Sequence, residues 1–225
     1  MSKHDPFQPR CVLTGDLIRA TGASDREVER TFENLESLFE QIEGWPWEPH
    51  QPSRFTRFRG DGWHAILYSP ERVLTAALYL FACLRTSEDT LATRISIGIG
   101  DIAFAGTTDL SDARGTAFIH SGRALDEMPR GHWLSVSGAG VTPLHRATCL
   151  LIAERATRWS VEQANAVSFA LSPAVATQSD IAERLGVSTQ AVNARLTAAG
   201  FQTIRQALDL WADSFHSHSQ TEHAR

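Results

Sequence analysis

Among the Gly-Asp pairs of this chain, two stand out beside apolar runs that would form strands. Gly15-Asp16 follows the apolar run Cys11-Val12-Leu13, and Gly60-Asp61 leads into Gly62-Trp63. Carboxylates are hard oxygen donors, so two of them brought side by side would suit divalent ions such as Mg2+ or Mn2+. An ion held there neutralises nearby anionic charge and acidifies a bound hydroxyl. The structural alternative is plain: Gly tolerates positive φ and Asp caps neighbouring amides, so Gly-Asp is a common turn between strands. Other chemistry-bearing residues are dispersed. The nine His are scattered and read as surface or packing residues, and Cys11, Cys83 and Cys149 are an odd, widely spaced set.

The pattern predicts the elements that would carry the two aspartates. Arg54-Phe55-Thr56-Arg57-Phe58-Arg59 alternates, and His64-Ala65-Ile66-Leu67-Tyr68 is an apolar run, so Asp61 falls at the tip of a β-hairpin. Arg57 and Arg59 form a basic row of the kind that protects a sheet edge. Ser24-Asp25-Arg26-Glu27 has capping-box spacing ahead of Val28, Phe32, Leu35, Phe39 and Ile42, which predicts a helix over about 25–42. Gly44-Trp45-Pro46-Trp47-Glu48-Pro49 ends it. Ser69-Pro70 supplies a cap and a first-turn proline before a second helical run, Val73 to Leu84.

Thr93 to Gly100 alternates as a strand, with Ile102-Ala103-Phe104 continuing or pairing with it. A looser helical pattern covers 115–128, and 132–136 reads as a last short strand. The order β-α-β-β-α-β predicts an α+β, ferredoxin-like domain, its helices packed on one face of the sheet.

From Pro143 the texture turns to Ala, Arg and Leu, which places a boundary near Gly138-Ala139-Gly140. Residues 1–140 then form the first domain and 141–215 an all-α region, with a helix-turn-helix core over 173–211. In Gln178 to Val192, Ile181, Leu185, Val187 and Val192 would share a core, Ala182 would permit close approach, and Gly186 would take the turn. A second helix of this kind enters the major groove of DNA, and the residues placed to reach bases are Ser188, Thr189, Gln190, Asn193 and Arg195. Between Gln178 and Asp213 there are three Arg and no Lys against Asp180, Glu183, Asp209 and Asp213, so phosphate attraction is weak. Such helix pairs also serve as dimerisation or protein-docking units. The Ser- and His-rich segment 216–225 reads as a disordered tail.

Composition bounds the partners. At 225 residues and 42% hydrophobic content the chain can bury a core, and its net charge of −5 offers no general attraction to nucleic acid or anionic membrane. The longest apolar stretch, Val73 to Leu84, is broken by Thr75 and is far short of the roughly 20 residues that span a bilayer. The N-terminal Met1 to Pro6 lacks the apolar core of a signal peptide, and with the sparse Cys this predicts a reducing cytoplasm.

Residues 10–137 resemble the catalytic domain of class III nucleotidyl cyclases. The resemblance rests on Val12-Leu13-Thr14-Gly15-Asp16-Leu17-Ile18, Arg59-Gly60-Asp61-Gly62, Arg94 to Gly100, and Asp112 to Arg123, in that order. It implies that Asp16 and Asp61 hold Mg2+ or Mn2+, that Arg57 and Asp112 recognise a nucleotide base, and that Arg123 stabilises transition-state charge. At the family's ribose-orienting Asn this chain carries Ile119, and the loop after Asp16 lacks the family's Gly-Phe-Thr ending. Trp63, beside Asp61, would fill core space or wall a nucleotide pocket.

The whole chain is similar to the SatD family, which joins such a domain to a helix-turn-helix. Ser53 to Thr56, Ile97 to Ile102, Gly115 to Phe118, Glu183 to Ser188, Arg195-Leu196 and Gln206 to Leu208 carry that likeness. The expectation is a homodimeric, DNA-binding transcription regulator whose first domain binds a nucleotide with a divalent metal and sets the dimer geometry. The alternatives are an active cyclase and a degenerate-site adaptor that docks a protein through its C-terminal helices.

Overall fold

The computed structural model of the chain describes residues 10–48, 54–58, 60–175 and 177–222, with side chains through Phe215. Arg59 and Ser53 of the quoted motifs, the first residues read for a signal peptide, and 223–225 lie outside them.

Among the described residues the fold is α+β, a five-stranded mixed sheet with eight α-helices. The strands are β1 (Arg10–Leu17), β2 (Phe55–Phe58), β3 (Gly62–Leu67), β4 (Thr93–Gly100) and β5 (Leu134–Gly138), in the order β2-β3-β1-β4-β5. Pairing is antiparallel except between β4 and β5, which run parallel.

Helix α1 (Asp25–Glu43) forms for the reasons its sequence gives. Ser24 accepts from the Glu27 amide, Glu27 reaches back to the Ser24 amide, and Phe32, Leu35, Phe39 and Ile42 are buried on one stripe. Burying each such side chain contributes about 1.5–3 kcal/mol. Phe39 stacks on Phe55 at 5.2 Å and meets Trp63 at 5.5 Å, which fixes α1 on the sheet face that carries Leu13, Trp63, Ile95 and Ile97. Helix α2 (Val73–Thr86) shares this face and is buried almost all round, since further helices cover its outer side. Ser69 does not cap it: the cap position is Arg72, and the Ser69 hydroxyl donates to the Trp47 carbonyl at 2.6 Å.

Helix α3 (Thr116–Asp126) corrects the expectation that all helices of this region share one face. It lies on the other face, over Val12, Thr14, Ser96 and Gly98. Small residues let it approach: a Cβ at Gly98 would sit 2.1 Å from the Ala117 carbonyl oxygen. The β3-to-β4 and β4-to-β5 connections both join parallel strands and advance in the same direction across the sheet, yet α2 and α3 lie on opposite faces. One of these crossovers is therefore of the rare left hand. The segment 101–115, including the single bridge of Phe104 with Arg114, carries the chain around.

The remaining helices are α4 (Pro143–Thr157), α5 (Val161–Leu171), α6 (Gln178–Leu185), α7 (Thr189–Ala199) and α8 (Phe201–Glu222). The change of texture near 140 falls at the β5-α4 junction, but one hydrophobic core runs through it, from Leu13 and Ile97 to Val167, Leu196 and Trp211. Trp133 stacks on Phe81 at 4.0 Å and donates to the Ala153 carbonyl, and Arg85 donates to the Trp159 carbonyl at 2.7 Å. Helix α8 also corrects the tail: it continues past Phe215 to Glu222, where composition predicted disorder. Ile204, Leu208, Trp211 and Phe215 pack its first turns, and a helix already nucleated extends at low cost per residue.

Candidate functional site

The strand register brings Asp16 and Asp61 to the same end of the sheet. Asp16 lies opposite Gly62 on β3 and opposite Arg94 on β4, and the Leu17 amide donates to the Asp61 carbonyl at 3.0 Å. The cation already present there is Arg94. Its Nε donates to Asp16 Oδ1 at 2.8 Å and its Nη2 to Oδ2, a two-pronged pairing whose side chains are 33% and 24% exposed. This bond to Asp16 leads the causes that hold the Arg94 guanidinium more firmly protonated. The charges of Asp16, Asp126 and Asp61 add to it, and burial opposes it. Arg94 thus feels three aspartates, of which it pairs with Asp16.

The backbone beneath this pair is held by buried contacts. Trp63 is fully buried on the α1 face, and its indole N–H donates to Thr93 Oγ1 at 2.9 Å. Thr93 in turn donates to the Asp16 carbonyl at 2.8 Å. A Cβ on Gly15 would fall 2.3 Å from the Trp63 ring, so glycine is required by that contact rather than by its turn. Trp63 is accordingly core, and it walls no pocket beside Asp61.

On the α3 face, Thr14 Oγ1 lies 3.0 Å from His64 Nδ1 and 2.7 Å from Ser121 Oγ. His64 sits between Phe58, at 5.0 Å, and Phe118, at 6.1 Å, and burial lowers its pKa.

The other residues expected at the site do not converge on it. Arg57 lies on the α1 face, 4.2 Å over the Phe32 ring, pairing with Glu29 and donating to the Gly60 carbonyl. Asp112 lies in segment 101–115, on the opposite side of the sheet, where Leu110 donates to Thr56. Its carboxylate takes the Thr107 hydroxyl and amide at 2.7 and 3.0 Å, and those bonds lower its pKa, the hydroxyl first. Within the chain, Arg57 and Asp112 therefore lie on opposite faces of the sheet. Arg123 is exposed on the outer stripe of α3, one turn from Ile119, while Ala117, Ser121 and Leu125 face the sheet. Among the described residues, no group of three or more His, Cys, Asp or Glu is arranged to hold a metal.

In the helical region, α6 and α7 are joined by Gly186-Val187-Ser188. Gly186 is left-handed at φ 62°, the Val187 amide closes on the Ala182 carbonyl, and Ser188 caps α7 by accepting from the Ala191 amide. Val192, Leu196 and Ala199 face the core, and Thr189, Gln190 and Asn193 are exposed. Arg195 departs from that polar face. It is half-buried and close enough to Glu162, at the start of α5, to help lower that carboxyl's pKa, which the Ser160 hydroxyl lowers most. Other arginines of the region are held by their own chain: Arg155 by the Ala198 and Ala199 carbonyls, Arg205 by the Ala170 carbonyl, and Arg158 by Glu154.

Sequence reasoning missed Arg94 as a site residue. Its signal was present, since a charged residue beginning the alternating β4 run lies opposite Asp16 once the two strands pair. No protein-family model matches the chain, and a comparison with curated proteins gives no match either.

Proposed function

We propose that this chain is a DNA-binding regulator in which α6 and α7 act as a helix-turn-helix and the sheet domain senses a ligand. The observation that carries the reading is the α6-turn-α7 unit. A left-handed glycine and a serine cap set the turn, and an uncharged polar face of Thr189, Gln190 and Asn193 is left open to solvent. Short polar side chains on such a helix reach base edges. Retention of promoter fragments in a gel, lost in the double variant Gln190→Ala, Asn193→Ala and kept in Arg57→Ala, tests it.

The ligand we propose for the sheet domain is a nucleotide with Mg2+ or Mn2+ at Asp16 and Asp61. The all-oxygen donor pair suits these ions, which commonly take one or two carboxylates and complete their shell with phosphate and water. Such an ion would supply charge neutralisation for phosphate. Strand order β4-β1-β3-β2 within the sheet supports the ferredoxin-like, cyclase-like reading of this domain. Cyclisation gains no support, because Arg57 is on the far face and Ile119 replaces the amide that would orient a ribose. The exposed Ile119 on the outer stripe of α3 supports a homodimer through that helix. Ligand and DNA are coupled through the shared core, and the ligand shifts the equilibrium only if it binds one dimer geometry better than the other.

A second reading, a protein-docking adaptor, draws on the committed arginines. Arg155 and Arg205 donate to carbonyls of their own chain and Arg158 pairs with Glu154, which draws these cations away from phosphates. A salt titration separates the two: DNA binding weakens with salt in proportion to the number of phosphates neutralised, whereas docking of a protein through apolar contacts does not follow that slope.

A further inference from the structure

The Asp16 carboxylate faces one cation and has committed both oxygens to it. The fork of Arg94 is planar and matches the carboxylate edge, so the pairing is directional as well as ionic. Asp61 and Asp126 lie near enough to act on the same guanidinium. A divalent ion at Asp16 would meet that guanidinium at the same oxygens, where two cations repel. Arg94 can yield: its side chain is a third exposed, and at the sheet end it has solvent to swing into.

We infer that Arg94 and a divalent cation are alternative occupants of Asp16, so that the Arg94–Asp16 pair closes the site without ligand and sets its metal affinity. The inference rests on the reading of Asp16 and Asp61 as the ion's ligands. The pair also ties β1 to β4 through side chains. Metal entry therefore exchanges a cross-strand tie for a bond to the ion, and the sheet end registers the ligand.

The experiment is a Mn2+ titration of the full chain, followed by the loss of the free-ion electron paramagnetic resonance signal. Wild type, Arg94→Gln, Arg94→Lys, Asp16→Asn and the double variant Arg94→Gln, Asp16→Asn are compared. Removing the competing cation should tighten Mn2+ binding at least about tenfold in Arg94→Gln, the factor expected when 1.4 kcal/mol of competition is lifted. Arg94→Lys, a cation without the fork, should fall between, and both variants lacking Asp16 should lose the binding. Far-ultraviolet circular dichroism establishes that each variant is folded, and if Arg94→Gln is not, Arg94→Lys carries the comparison. Wild-type binding that is unchanged or weaker in the folded Arg94 variants overturns the competition. Absence of Mn2+ binding from wild type and Arg94 variants alike overturns the reading of Asp16 and Asp61 beneath it.

Discussion

The indole N–H of Trp211 in α8 donates to the carbonyl of Pro70, just before α2, at 3.0 Å and across 141 positions of sequence. Around it, His145 of α4 meets the Trp211 ring edge-on at 4.9 Å and Phe215 at 5.1 Å, and its Nε2 lies 2.8 Å from Ser214 Oγ. The Thr142 amide donates to His145 Nδ1, so in this arrangement the second ring nitrogen carries the proton and donates to Ser214. The last helix is thereby fastened to both the sheet domain and α4.

Trp211→Phe removes the N–H and leaves a buried carbonyl unpaired, an expected loss of about 1–3 kcal/mol. Trp211→Ala also opens a cavity and should cost about 3–5 kcal/mol. Because the core is continuous, denaturant unfolding should give one transition, coincident by tryptophan fluorescence and circular dichroism. Two separated transitions would show that the halves are thermodynamically independent.

Glu48 gives the pH dependence a definite sign. It is buried, accepts from the Tyr68 amide at 2.8 Å, and burial raises its pKa above 4.5, with that amide bond opposing. The folded state thus holds the proton more tightly than the unfolded state. Between pH 4.5 and the raised value this group's contribution to stability falls as pH rises, because the folded carboxyl is ionised against its surroundings. Glu48→Gln should abolish that fall, so its stability relative to wild type improves from pH 4.5 to pH 7 in urea unfolding. Glu48→Ala strands the Tyr68 amide and should cost about 1–3 kcal/mol at either pH. A wild-type and Gln pair with parallel pH profiles would contradict the assignment.

Much of this arrangement was legible in residue order, and what was hidden has physical causes. The capping box at Ser24 and the apolar stripe of α1 are local, so reading them needs nothing beyond one turn of helix. The hairpin that sets Asp61 and the Gly186 turn are equally local. The face taken by α3 is not: handedness rules place it beside α2, and only Ser96, Gly98 and Gly100, small residues on one side of β4, mark a helix on the other side. Arg94 was hidden because its partner lies on another strand, and a cross-strand pair becomes visible only when register is known. Arg57 and Asp112 read as partners through resemblance, whereas strand alternation alone puts Arg57 with Phe55 on the α1 face. In the helical region, the position of Arg195 five residues after Gln190 turns it away from the polar stripe, a consequence of helical periodicity. The tail misled because its composition is polar, while its helix is propagated from the packed turns before it.

The closeness of α3 makes its own prediction. A Cβ at Gly98 would lie 2.1 Å from the Ala117 carbonyl oxygen and 2.5 Å from the Ser121 amide, both backbone atoms that cannot rotate away. Gly98→Ala should force α3 off the sheet, stretch the Thr14–Ser121 hydrogen bond and cost about 1–3 kcal/mol or more. Gly122→Ala, where a Cβ meets nothing within 4 Å on the same helix, should be neutral or slightly stabilising through helix propensity. Thermal unfolding of the two variants side by side reads this directly, and equal melting temperatures would contradict the close packing.

The α7 face separates contact from charge. Gln190 and Asn193 are exposed on the polar stripe, whereas Arg195 lies around the helix near Glu162. If α7 reads bases, Gln190→Ala and Asn193→Ala should each weaken specific retention of a promoter fragment by about 5- to 150-fold, the equivalent of 1–3 kcal/mol per bidentate contact. Neither should move the melting temperature, because neither side chain packs. Arg195→Ala should do the reverse, leaving DNA retention within about twofold while lowering stability slightly through the lost attraction to Glu162. Retention that depends on Arg195 and ignores Gln190 and Asn193 would mean that α7 presents another side to DNA than its exposed polar stripe.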